Sequence, residues 1–448
     1  MIDKINAPLR ALAARLDKNL YLVGGIVRNF LIDGKLSGDL DLASANTAEE
    51  LSRALGKEFS VAAVYPRTGT IMFKDVEGRH YEHTTFRGEE YEAGGAHTPA
   101  RTFFTDDIVA DALRRDFKCN AVYYDLKNGA FADPLGGMED IKNKKLDTVA
   151  APQKVFSSDG LRLLRLCRFA GELGFCPTKE VKEGARKYAR NIDDIAAERI
   201  FAELSAMLVS DTKYAFSDQK GHYVSLKLCH EIGVFERILP ELAAGDKMKQ
   251  RSDFHDHDVL EHSFRTVLYA VPSVRFAALL HDVGKPYAMN RYGAYKTHAD
   301  DGERIAREVL LRLKAPNALI EEVAALTKLH MADLDLKMRE SKVRLFLAEN
   351  HRYIEKLLLL KQADYSACKD DLSVAPTVKK WNAIAEKMRA EGAPFTLKEL
   401  KIDGTDLAGL GYRGKALGEQ LKKLFRLAVL DGKMNDREKL LSVAKKEL

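Results

Sequence analysis

The chain has 448 residues, of which 46% are hydrophobic and 31% are charged, and it carries a net charge of +5 at pH 7. This length predicts two to four domains, and the composition excludes a disordered chain. The mildly basic charge is compatible with a polyanionic partner, but many enzymes share it. No apolar run approaches the roughly 20 residues that span a bilayer, and the scattered cysteines form no Cys-x-x-Cys pair, which indicates a reduced cytoplasm rather than disulfides or a thiolate zinc site.

Residues 1–145 are predicted to form a mixed α and β head. The runs LYLV and DLDLAS are typical of strands, and a short helix is expected between them after Gly24 and Gly25. Farther along, TGTIMFKD and RHYEHTTF flank a predicted turn, and AVYYDL and AFADP flank Asn128-Gly129. Asn-Gly between two strand-like runs is a strong hairpin signal, so the head is expected to contain a small, mainly antiparallel sheet with helices.

The two glycines lie where the first predicted strand ends and the helix begins. Glycine lets the backbone approach a ligand closely, and the N–H groups at the start of a helix bind phosphate oxygens. Arg28 falls in the first helical turn, where its guanidinium can hold a triphosphate. Taken alone, Gly24-Gly25 is more typical of a simple tight turn than of a phosphate site.

Asp39 and Asp41 stand two residues apart on the second predicted strand. Residues i and i+2 of a strand face the same way, so both carboxylates project to one point. Adjacent carboxylates repel unless a cation neutralises them, and oxygen ligands suit Mg²⁺. The pair therefore predicts a metal site for nucleotidyl transfer, with Glu82 on a later strand as a candidate third carboxylate. The alternative is an exposed acidic strand end.

Beyond about residue 155, apolar residues recur at three- to four-residue spacing to the end of the chain, which predicts an all-α body. The runs that show this spacing are LRLLRLCRFAGEL, AAERIFAELSAML, SVRFAALLHDV, EKLLLLKQAD and GEQLKKLFRLAVL. The last of these lies in a basic segment, where Gly414 and Gly418 are candidates for binding RNA phosphates at a helix start. A turn between packed helices fits these glycines equally well.

Asp159, Arg162, Arg165 and Arg168 recur at a spacing of three in SSDGLRLLRLCRF, which is interpreted as one helix. On a helix Asp159 and Arg162 share a face, whereas Arg168 has turned to the opposite side. Cytosine and adenine both present an amino donor beside a ring-nitrogen acceptor, so a carboxylate and a guanidinium together can select them over uracil and guanine. From these residues alone, an ordinary helix-surface ion pair is the favoured interpretation. Arg165 and Arg168 are predicted to contact phosphate or RNA.

Histidines cluster in the middle of the body, and six of the twelve fall between residues 255 and 330. Neutral imidazole together with carboxylate suits Mn²⁺, Ni²⁺, Co²⁺ or Mg²⁺. The candidate ligands of a first ion are His262, His281, Asp282 and Asp364, and those of a second ion are His298 and His330.

Short motifs follow one another in order along the chain. They are Gly-Gly-x-Val-Arg (24–28), Asp-x-Asp (39–41), Thr-Thr-Phe-Arg (84–87), Arg-Arg-Asp-Phe-x-x-Asn-Ala (114–121), DPLGGMED (133–140), Asp-x-x-Arg (159–162), Glu-Arg-Ile-x-x-Glu-Leu (198–204) and Leu-Pro-Glu-Leu (239–242). In this order they resemble the tRNA nucleotidyltransferase and bacterial poly(A) polymerase family across essentially the whole chain. The histidine and aspartate set is similar to that of HD-domain phosphohydrolases.

The resemblance implies roles for these residues. Asp39 and Asp41 would hold Mg²⁺ and carry the catalysis, Gly25 and Arg28 would contact the incoming nucleotide, and Arg115 would read the ribose 2′-hydroxyl or steady the phosphates together with Asp116. The substrate-binding residues that it implies are Gly24, Gly25, Arg28, Arg115, Asp116, Asn120, Asp159, Arg162, Arg165 and Arg168.

The implied activity is template-independent addition of CCA to the 3′ end of tRNA from CTP and ATP, with an accessory phosphohydrolase activity at the histidine cluster. The expected domains are the head at 1–145, a helical neck for base recognition at 146–210, a helical body at 211–250, an HD domain at 251–370 and a helical tail that contacts tRNA at 371–448. Three alternatives stay open: a poly(A) polymerase of the same family, an HD phosphohydrolase acting on RNA ends or nucleotides, and a non-catalytic RNA-binding protein.

The sequence departs from the family pattern in three places. Asn29 stands where the family usually has aspartate, and Ser158 where it usually has glutamate. Both neutral residues are expected to loosen the positioning of neighbouring arginines. The segment EAGGAHTPA (92–100) keeps the usual loop length without the usual arginines, and an unshortened loop favours CCA or A addition over CC addition.

Overall fold

The chain divides into two compact units, Met1–Pro240 and Glu241–Leu448. A computed structural model describes residues 5, 7–36, 38–90, 100–214, 220–250 and 256–447. The loop prediction for 92–100 falls on residues 92–99, which lie outside this described part. Among the described residues, no helix is both long enough and apolar enough to cross a membrane.

The head alternates short strands and helices. Its elements are α1 (Ala7–Arg15), β1 (Leu20–Val23), α2 (Gly25–Asp33), β2 (Leu40–Ser44), α3 (Ala48–Ala54), β3 (Phe59–Tyr65), β4 (Thr70–Asp75), β5 (His80–Thr85), β6 (Arg87–Glu90), β7 (Arg101–Phe104), α4 (Ile108–Leu113), β8 (Tyr123–Asp125), β9 (Phe131–Ala132), α5 (Gly137–Lys142) and β10 (Lys145–Leu146).

Seven of these strands form one sheet in the order β3-β4-β5-β2-β1-β8-β9. Only β2 and β5 run parallel, and the other neighbouring pairs are antiparallel, which confirms the predicted mainly antiparallel sheet. The β8–β9 hairpin confirms the Asn-Gly signal, and Gly129 has the positive φ of 68° that this turn requires. Alternation along β5 buries Tyr81 and His83 on one face and leaves Glu82 on the other.

The rest of the first unit is almost entirely helical, as predicted. Its elements are α6 (Pro152–Ser158), α7 (Leu161–Leu173), β11 (Cys176–Pro177), α8 (Lys179–Tyr188), α9 (Ala197–Leu208), α10 (Ser210–Lys213), α11 (Gly221–Glu231) and α12 (Phe235–Ile238). Helix α7 is buried nearly all round because α9 and α11 pack against it. Gly171 and Gly221 let α7 and α11 approach closely, since a Cβ on Gly171 would lie 2.2 Å from the Ser225 hydroxyl.

In the second unit the described residues form helices and turns. The helices are α13 (Pro240–Ala243, which spans the boundary), α14 (Val259–Tyr269), α15 (Arg275–Leu280), α16 (Gly284–Tyr292), α17 (His298–Arg312), α18 (Asn317–Leu329), α19 (Glu340–Glu349), α20 (His351–Lys369), α21 (Pro376–Ala390), α22 (Gly404–Leu410), α23 (Gly414–Leu430) and α24 (Arg437–Lys445). Gly414 begins α23, as expected, and Gly418 lies one turn inside it.

Candidate active site and metal centre

One cavity of about 600 Å³ in the first unit gathers the candidate residues that the sequence assigns to the head and neck, with the exception of Glu82. The candidate residues that line it are Gly24, Gly25, Arg28, Asp39, Asp41, Arg115, Asp116, Asn120, Asp159, Arg162, Arg165 and Arg168. We call this space the nucleotide cavity. Its volume lies within the roughly 300–1,000 Å³ that is usual for ligand sites.

Two carboxylates, those of Asp39 and Asp41, line one side of the nucleotide cavity, and a third, that of Glu82, lies next to Asp41. Asp39 precedes β2, Asp41 lies on β2, and the parallel pairing of β2 with β5 places Glu82 directly beside Asp41. Burial, together with the negative charges of Glu82 and Asp39, raises the pKa of Asp41 to about 6, although Arg115 acts in the opposite direction. A divalent cation would relieve this repulsion, and the all-oxygen ligand set fits Mg²⁺.

The first glycine turn faces these carboxylates. Gly24 has a φ of 77°, which strains any other residue, and a Cβ at this position would be in van der Waals contact with Asp41 Oδ2 at 3.4 Å, so the turn lies directly against this carboxylate. The N-terminus of α2 follows immediately. Arg28 is 2% exposed, and its guanidinium donates to the amide oxygens of Asn29 and Asn120. Since both acceptors are neutral, the positive charge of Arg28 is left for an anionic ligand.

Asn29 is one of the two departures from the family pattern that the structure describes. Its Oδ1 accepts hydrogen bonds from both Nε and Nη2 of Arg28, at 3.2 and 2.9 Å. A neutral residue at this position therefore still orients the guanidinium, which differs from the expected loosening.

Two further arginines of the cavity share one buried carboxylate. Arg114 donates to Asp111 Oδ1 at 2.7 Å, and Arg115 donates to Asp111 Oδ2 at 3.0 Å. Burial alone would raise the pKa of Asp111, but the two arginines and the Tyr123 hydroxyl bring it down to about 2. Asp111 thus stays ionised and fixes the position of both guanidinium groups.

The arginines of α7 are also held by carboxylates. Arg165 pairs with Asp116 at 2.6 Å, and Arg168 pairs with Glu203 at 2.7 Å and with Glu172 at 3.0 Å. The pKa of Asp116 is well below its usual range because Arg165 outweighs the effect of burial. Arg165 and Arg168 therefore line the cavity as members of an ion-pair network.

Asp159 is not helical, and the prediction of one continuous helix from Ser157 is wrong. Its backbone is extended (φ −149°, ψ 108°) between α6 and α7, and Gly160 caps α7. Asp159 and Arg162 nevertheless both line the nucleotide cavity. Arg162 donates to the Arg114 carbonyl oxygen at 2.6 Å and to Ser158 Oγ at 3.3 Å. With serine at position 158, Arg162 makes only a weak hydrogen bond there, whereas the glutamate that the family usually has would form an ion pair with it.

In the second unit, three helices bring together the ligands predicted for a first ion. His262 comes from α14, His281 and Asp282 follow α15, and Asp364 comes from α20. His262 Nε2 lies 3.0 Å from Asp364 Oδ1 and 3.7 Å from Asp282 Oδ2, and His281 Nε2 lies 3.2 Å from Asp282 Oδ2. Donor atoms of His262, His281 and Asp282 can reach one ion.

The other oxygen of Asp282 faces the second predicted pair of ligands. Its Oδ1 lies 3.4 Å from His298 Nε2 and 3.6 Å from His330 Nε2. These three residues form a second group that can hold an ion, so Asp282 would bridge two metal positions. The donor set of imidazole and carboxylate fits Mn²⁺, Ni²⁺, Co²⁺ or Mg²⁺.

Backbone carbonyls orient three of these imidazoles. The Nδ1 atoms of His281, His298 and His330 lie 2.6–2.8 Å from carbonyl oxygens three residues earlier. If each Nδ1 donates to its carbonyl, Nε2 on the side that faces Asp282 is the nitrogen left to ligate a metal. Burial lowers the pKa of His330 to about 4, so this imidazole is neutral at pH 7. Each of the six candidate ligands is at most 9% exposed.

Comparisons with known proteins match the segments of the chain that contain both sites. Family models match as the poly(A) polymerase head domain over residues 20–147, as the probable RNA- and SrmB-binding site of polymerase A over 174–245, and as the HD domain over 259–367. The A-adding tRNA nucleotidyltransferase of Deinococcus radiodurans is 31% identical, over 78% of this chain and 76% of that protein. The chain belongs to the tRNA nucleotidyltransferase and poly(A) polymerase family.

Two further relatives of the family align over nearly the whole chain. The CCA-adding enzyme of Anoxybacillus flavithermus is 29% identical, over 94% of this chain and 91% of that protein. The crystal structure of the Bacillus stearothermophilus CCA-adding enzyme in complex with CTP has a TM-score of 0.69 at 23% identity, and covers 99% of this chain and 98% of that one. The latter likeness shows that the family fold extends from the head through the helical body.

Several residues of the family site were not assigned from the sequence. Arg87 and Arg114 stand within the motifs but their roles were missed, because only pairing with Glu89 and Asp111 reveals them. The other unassigned lining residues include Thr68, Thr102, Phe169, Arg199, Lys213 and Tyr214. Lys213 and Tyr214 belong to no motif, and no sequence signal would have identified them.

Proposed function

We propose that the chain adds CCA to the 3′ end of tRNA from CTP and ATP, without a nucleic-acid template. The observation that carries the proposal is the single cavity that unites a carboxylate cluster, a helix N-terminus with Arg28, and the Asp159–Arg162 pair. The full-length likeness to a CCA-adding enzyme supports it. The A-adding relative represents the principal alternative, in which the same chemistry adds only the last nucleotide.

In the proposed reaction, the N-terminus of α2 and Arg28 hold the triphosphate, and Asp39 and Asp41 face its α-phosphate. Bound divalent cations would neutralise the charge that builds up on the phosphate oxygens. The 3′-oxygen of the RNA bonds to the α-phosphorus as the bond to the bridging oxygen breaks. Pyrophosphate leaves with that electron pair, and the hydroxyl proton passes to the carboxylate cluster.

Base choice is assigned to Asp159 and Arg162. The carboxylate would accept from the amino group of cytosine or adenine, and the guanidinium would donate to the neighbouring ring nitrogen. Arg162 already donates to the Arg114 carbonyl oxygen, which holds its guanidinium at the cavity wall. Two protein side chains can thus select the base of the incoming nucleotide without a template strand.

The full chain, incubated with tRNA that lacks its 3′ end and all four nucleoside triphosphates, is expected to yield tRNA ending in CCA. Sequencing of the product ends gives the result directly. Extension only of tRNA that already ends in CC would assign A addition instead, and a run of adenosines would assign poly(A) synthesis. Unextended tRNA under every condition would contradict nucleotidyl transfer altogether.

A second activity, hydrolysis of phosphate esters on RNA ends, is proposed for the His–Asp cluster of the second unit. The supporting observation is that Asp282 faces two groups of imidazoles through its two oxygens. Two adjacent metal positions are the arrangement that serves phosphate-ester hydrolysis in other enzymes.

His281→Gln combined with Asp282→Asn is expected to abolish metal binding in the second unit. In the wild type, Mn²⁺ at about 100 times its Kd stabilises the fold by about 2.7 kcal/mol, which appears as a rise in the unfolding temperature. The double variant should lose this rise and any hydrolysis of a 2′,3′-cyclic phosphate. Its CTP and ATP incorporation should stay at the wild-type rate, because the ligands of the two sites lie in different units.

The matched control for this variant is His351→Gln, at an exposed histidine of the same unit. This variant should keep the Mn²⁺-dependent rise in the unfolding temperature. A double variant that still hydrolyses the cyclic phosphate as fast as wild type would show that the cluster is not the hydrolytic site.

A further inference from the structure

A cysteine stands beside the predicted ligands of the first ion in the second unit. Cys368 follows Asp364 by four positions on α20, and residues four apart on a helix lie on the same face. One ligand atom each of His262, Asp364 and Cys368 lies within 4.8 Å of the ligand atoms of the other two. Two members of this group belong to the set predicted for the first ion, and Cys368 is the member that has no assigned role.

The spacing of these three residues fits ligands of one ion. A thiolate sulfur binds a cation such as Zn²⁺ at about 2.3 Å, and imidazole or carboxylate ligands bind it at about 2.0–2.2 Å. Ligand atoms of one ion therefore lie roughly 3 to 4.5 Å from one another. His262 Nε2 and Asp364 Oδ1 are already 3.0 Å apart. The limit of 4.8 Å leaves the sulfur at most a few tenths of an ångström from such a position.

A buried nitrogen of the same cluster indicates independently that a cation binds there. His281 Nε2 is buried and makes no hydrogen bond to a described residue, although Asp282 Oδ2 lies only 3.2 Å away. Asp364 Oδ1 lies 3.7 Å from the same nitrogen. When Nδ1 of this ring donates to the Ala278 carbonyl oxygen, 2.8 Å away, Nε2 carries a lone pair that faces two carboxylate oxygens. A cation among these acceptor atoms would satisfy all three.

A sulfur ligand changes which cations such a site prefers. Imidazole and carboxylate bind Mn²⁺, Ni²⁺, Co²⁺ and Mg²⁺, whereas a thiolate favours softer cations such as Zn²⁺. The absence of a Cys-x-x-Cys pair argues against a site built from several thiolates. It does not argue against one thiolate among imidazoles and carboxylates, which is why the sequence pattern did not single out Cys368.

We propose that Cys368 is a ligand of the first ion of the His–Asp cluster, beside His262 and Asp364. The thiol proton leaves to the solvent as the sulfur binds the ion. The site then prefers a cation softer than Mg²⁺ or Mn²⁺, such as Zn²⁺ or Co²⁺. This inference rests on the metal site of the proposed second activity, and it names the class of cation that this site takes.

Titration of the full chain with Co²⁺ is expected to produce the near-ultraviolet absorption band of charge transfer from thiolate to Co²⁺. The band requires a sulfur atom bound to the ion, so Cys368→Ser should lose it while keeping a side chain of similar shape. The matched control is Cys176→Ser, at an exposed cysteine of the first unit, and this variant should keep the band. The double variant of His281→Gln with Asp282→Asn gives the contribution of Co²⁺ bound elsewhere on the chain.

The affinities for two cations separate ligation from a structural role of the cysteine. Cys368→Ser should raise the Kd for Co²⁺ by at least the roughly tenfold that loss of an outer-shell partner of a metal site costs. Its Kd for Mn²⁺ should change much less, because a harder cation gains little from sulfur. Both constants follow from the rise in the unfolding temperature with ion concentration. Equal weakening of Co²⁺ and Mn²⁺ binding would mean that Cys368 only packs within α20, and would overturn the proposal.

Failure of the metal site and failure of the cysteine ligand give different results. A wild type that binds no more Co²⁺ than the double variant contradicts the metal site on which the proposed second activity depends. A wild type that binds Co²⁺ at this site without the charge-transfer band has imidazole and carboxylate ligands alone, and overturns only the role of Cys368. A band that persists in Cys368→Ser does the same.

Discussion

Alanine at Asp39 or Asp41 is expected to lower the rate of nucleotide addition by about three orders of magnitude or more. Each substitution removes one carboxylate from the group of proposed metal ligands that lies beside Glu82 through the β2–β5 pairing. It removes no residue of the tail or of the α7 network, so tRNA binding should stay nearly intact. Single-turnover rates with CTP and tRNA lacking its 3′ end, together with a filter-binding Kd for that tRNA, measure both quantities.

The control for these variants is Glu77→Ala, at an exposed carboxylate on the turn that joins β4 to β5. It should leave the rate unchanged, because Glu77 is not among the residues that line the nucleotide cavity. If both aspartate variants kept a tenth or more of the wild-type rate, the carboxylates would not be the catalytic metal ligands.

Strand periodicity predicted that Asp39 and Asp41 share one face of a strand, and both do line the nucleotide cavity, although Asp39 lies just before β2 and not on it. The place of Glu82 was predicted less firmly, since it depends on which strands become neighbours. Glu82 stands beside Asp41 only because β5 pairs with β2 in parallel, across an intervening hairpin. The strand β3 was not predicted at all, because it is an edge strand on which the alternation of buried and exposed residues is weak.

The partners of the arginines could not be predicted from the sequence. Arg165 and Asp116 are 49 positions apart, and only the packing of the neck against the head brings them to 2.6 Å. Helical periodicity placed Asp159 inside the helix and Arg168 on the side opposite to it, and both predictions are wrong: Asp159 precedes α7, and Arg168 lines the same cavity as Asp159 and Arg162. The extended backbone of Asp159 interrupts the helix there, and the Asp159 side chain accepts a hydrogen bond from the Leu161 N–H in the first turn of α7.

For the second unit, the spacing of histidines and aspartates predicted which residues cluster, and the structure brings all of them together. The sequence did not predict that Asp282 faces both groups of imidazoles. That relation depends on α17 and α18 lying beside the turn after α15, and no pattern within one segment encodes it.

Substitution of the proposed base-reading pair is expected to change which nucleotide is added. Arg162→Ala removes the donor to the ring nitrogen, and Asp159→Ala removes the acceptor for the amino group. Loss of a hydrogen bond to a charged partner typically costs about 1.5–3 kcal/mol, which corresponds to a roughly ten- to hundredfold loss of discrimination. Arg190→Ala, at an exposed arginine outside the cavity lining as described, is the matched control.

The direction of the change separates base reading from a structural role. In the wild type, uracil and guanine present their donors and acceptors in the reverse order, so each would face a like group of the protein. Without Arg162 or Asp159 that repulsion is gone, and incorporation of UTP and GTP should rise relative to CTP and ATP. The measurement is kcat/KM for all four triphosphates, on tRNA that ends before its first C and on tRNA that ends in CC. Since Arg162 also donates to the Arg114 carbonyl oxygen, a merely structural loss would lower all four values together. If the ratios of kcat/KM among the four triphosphates are unchanged in both variants, the pair only stabilises the cavity wall and other residues select the nucleotide.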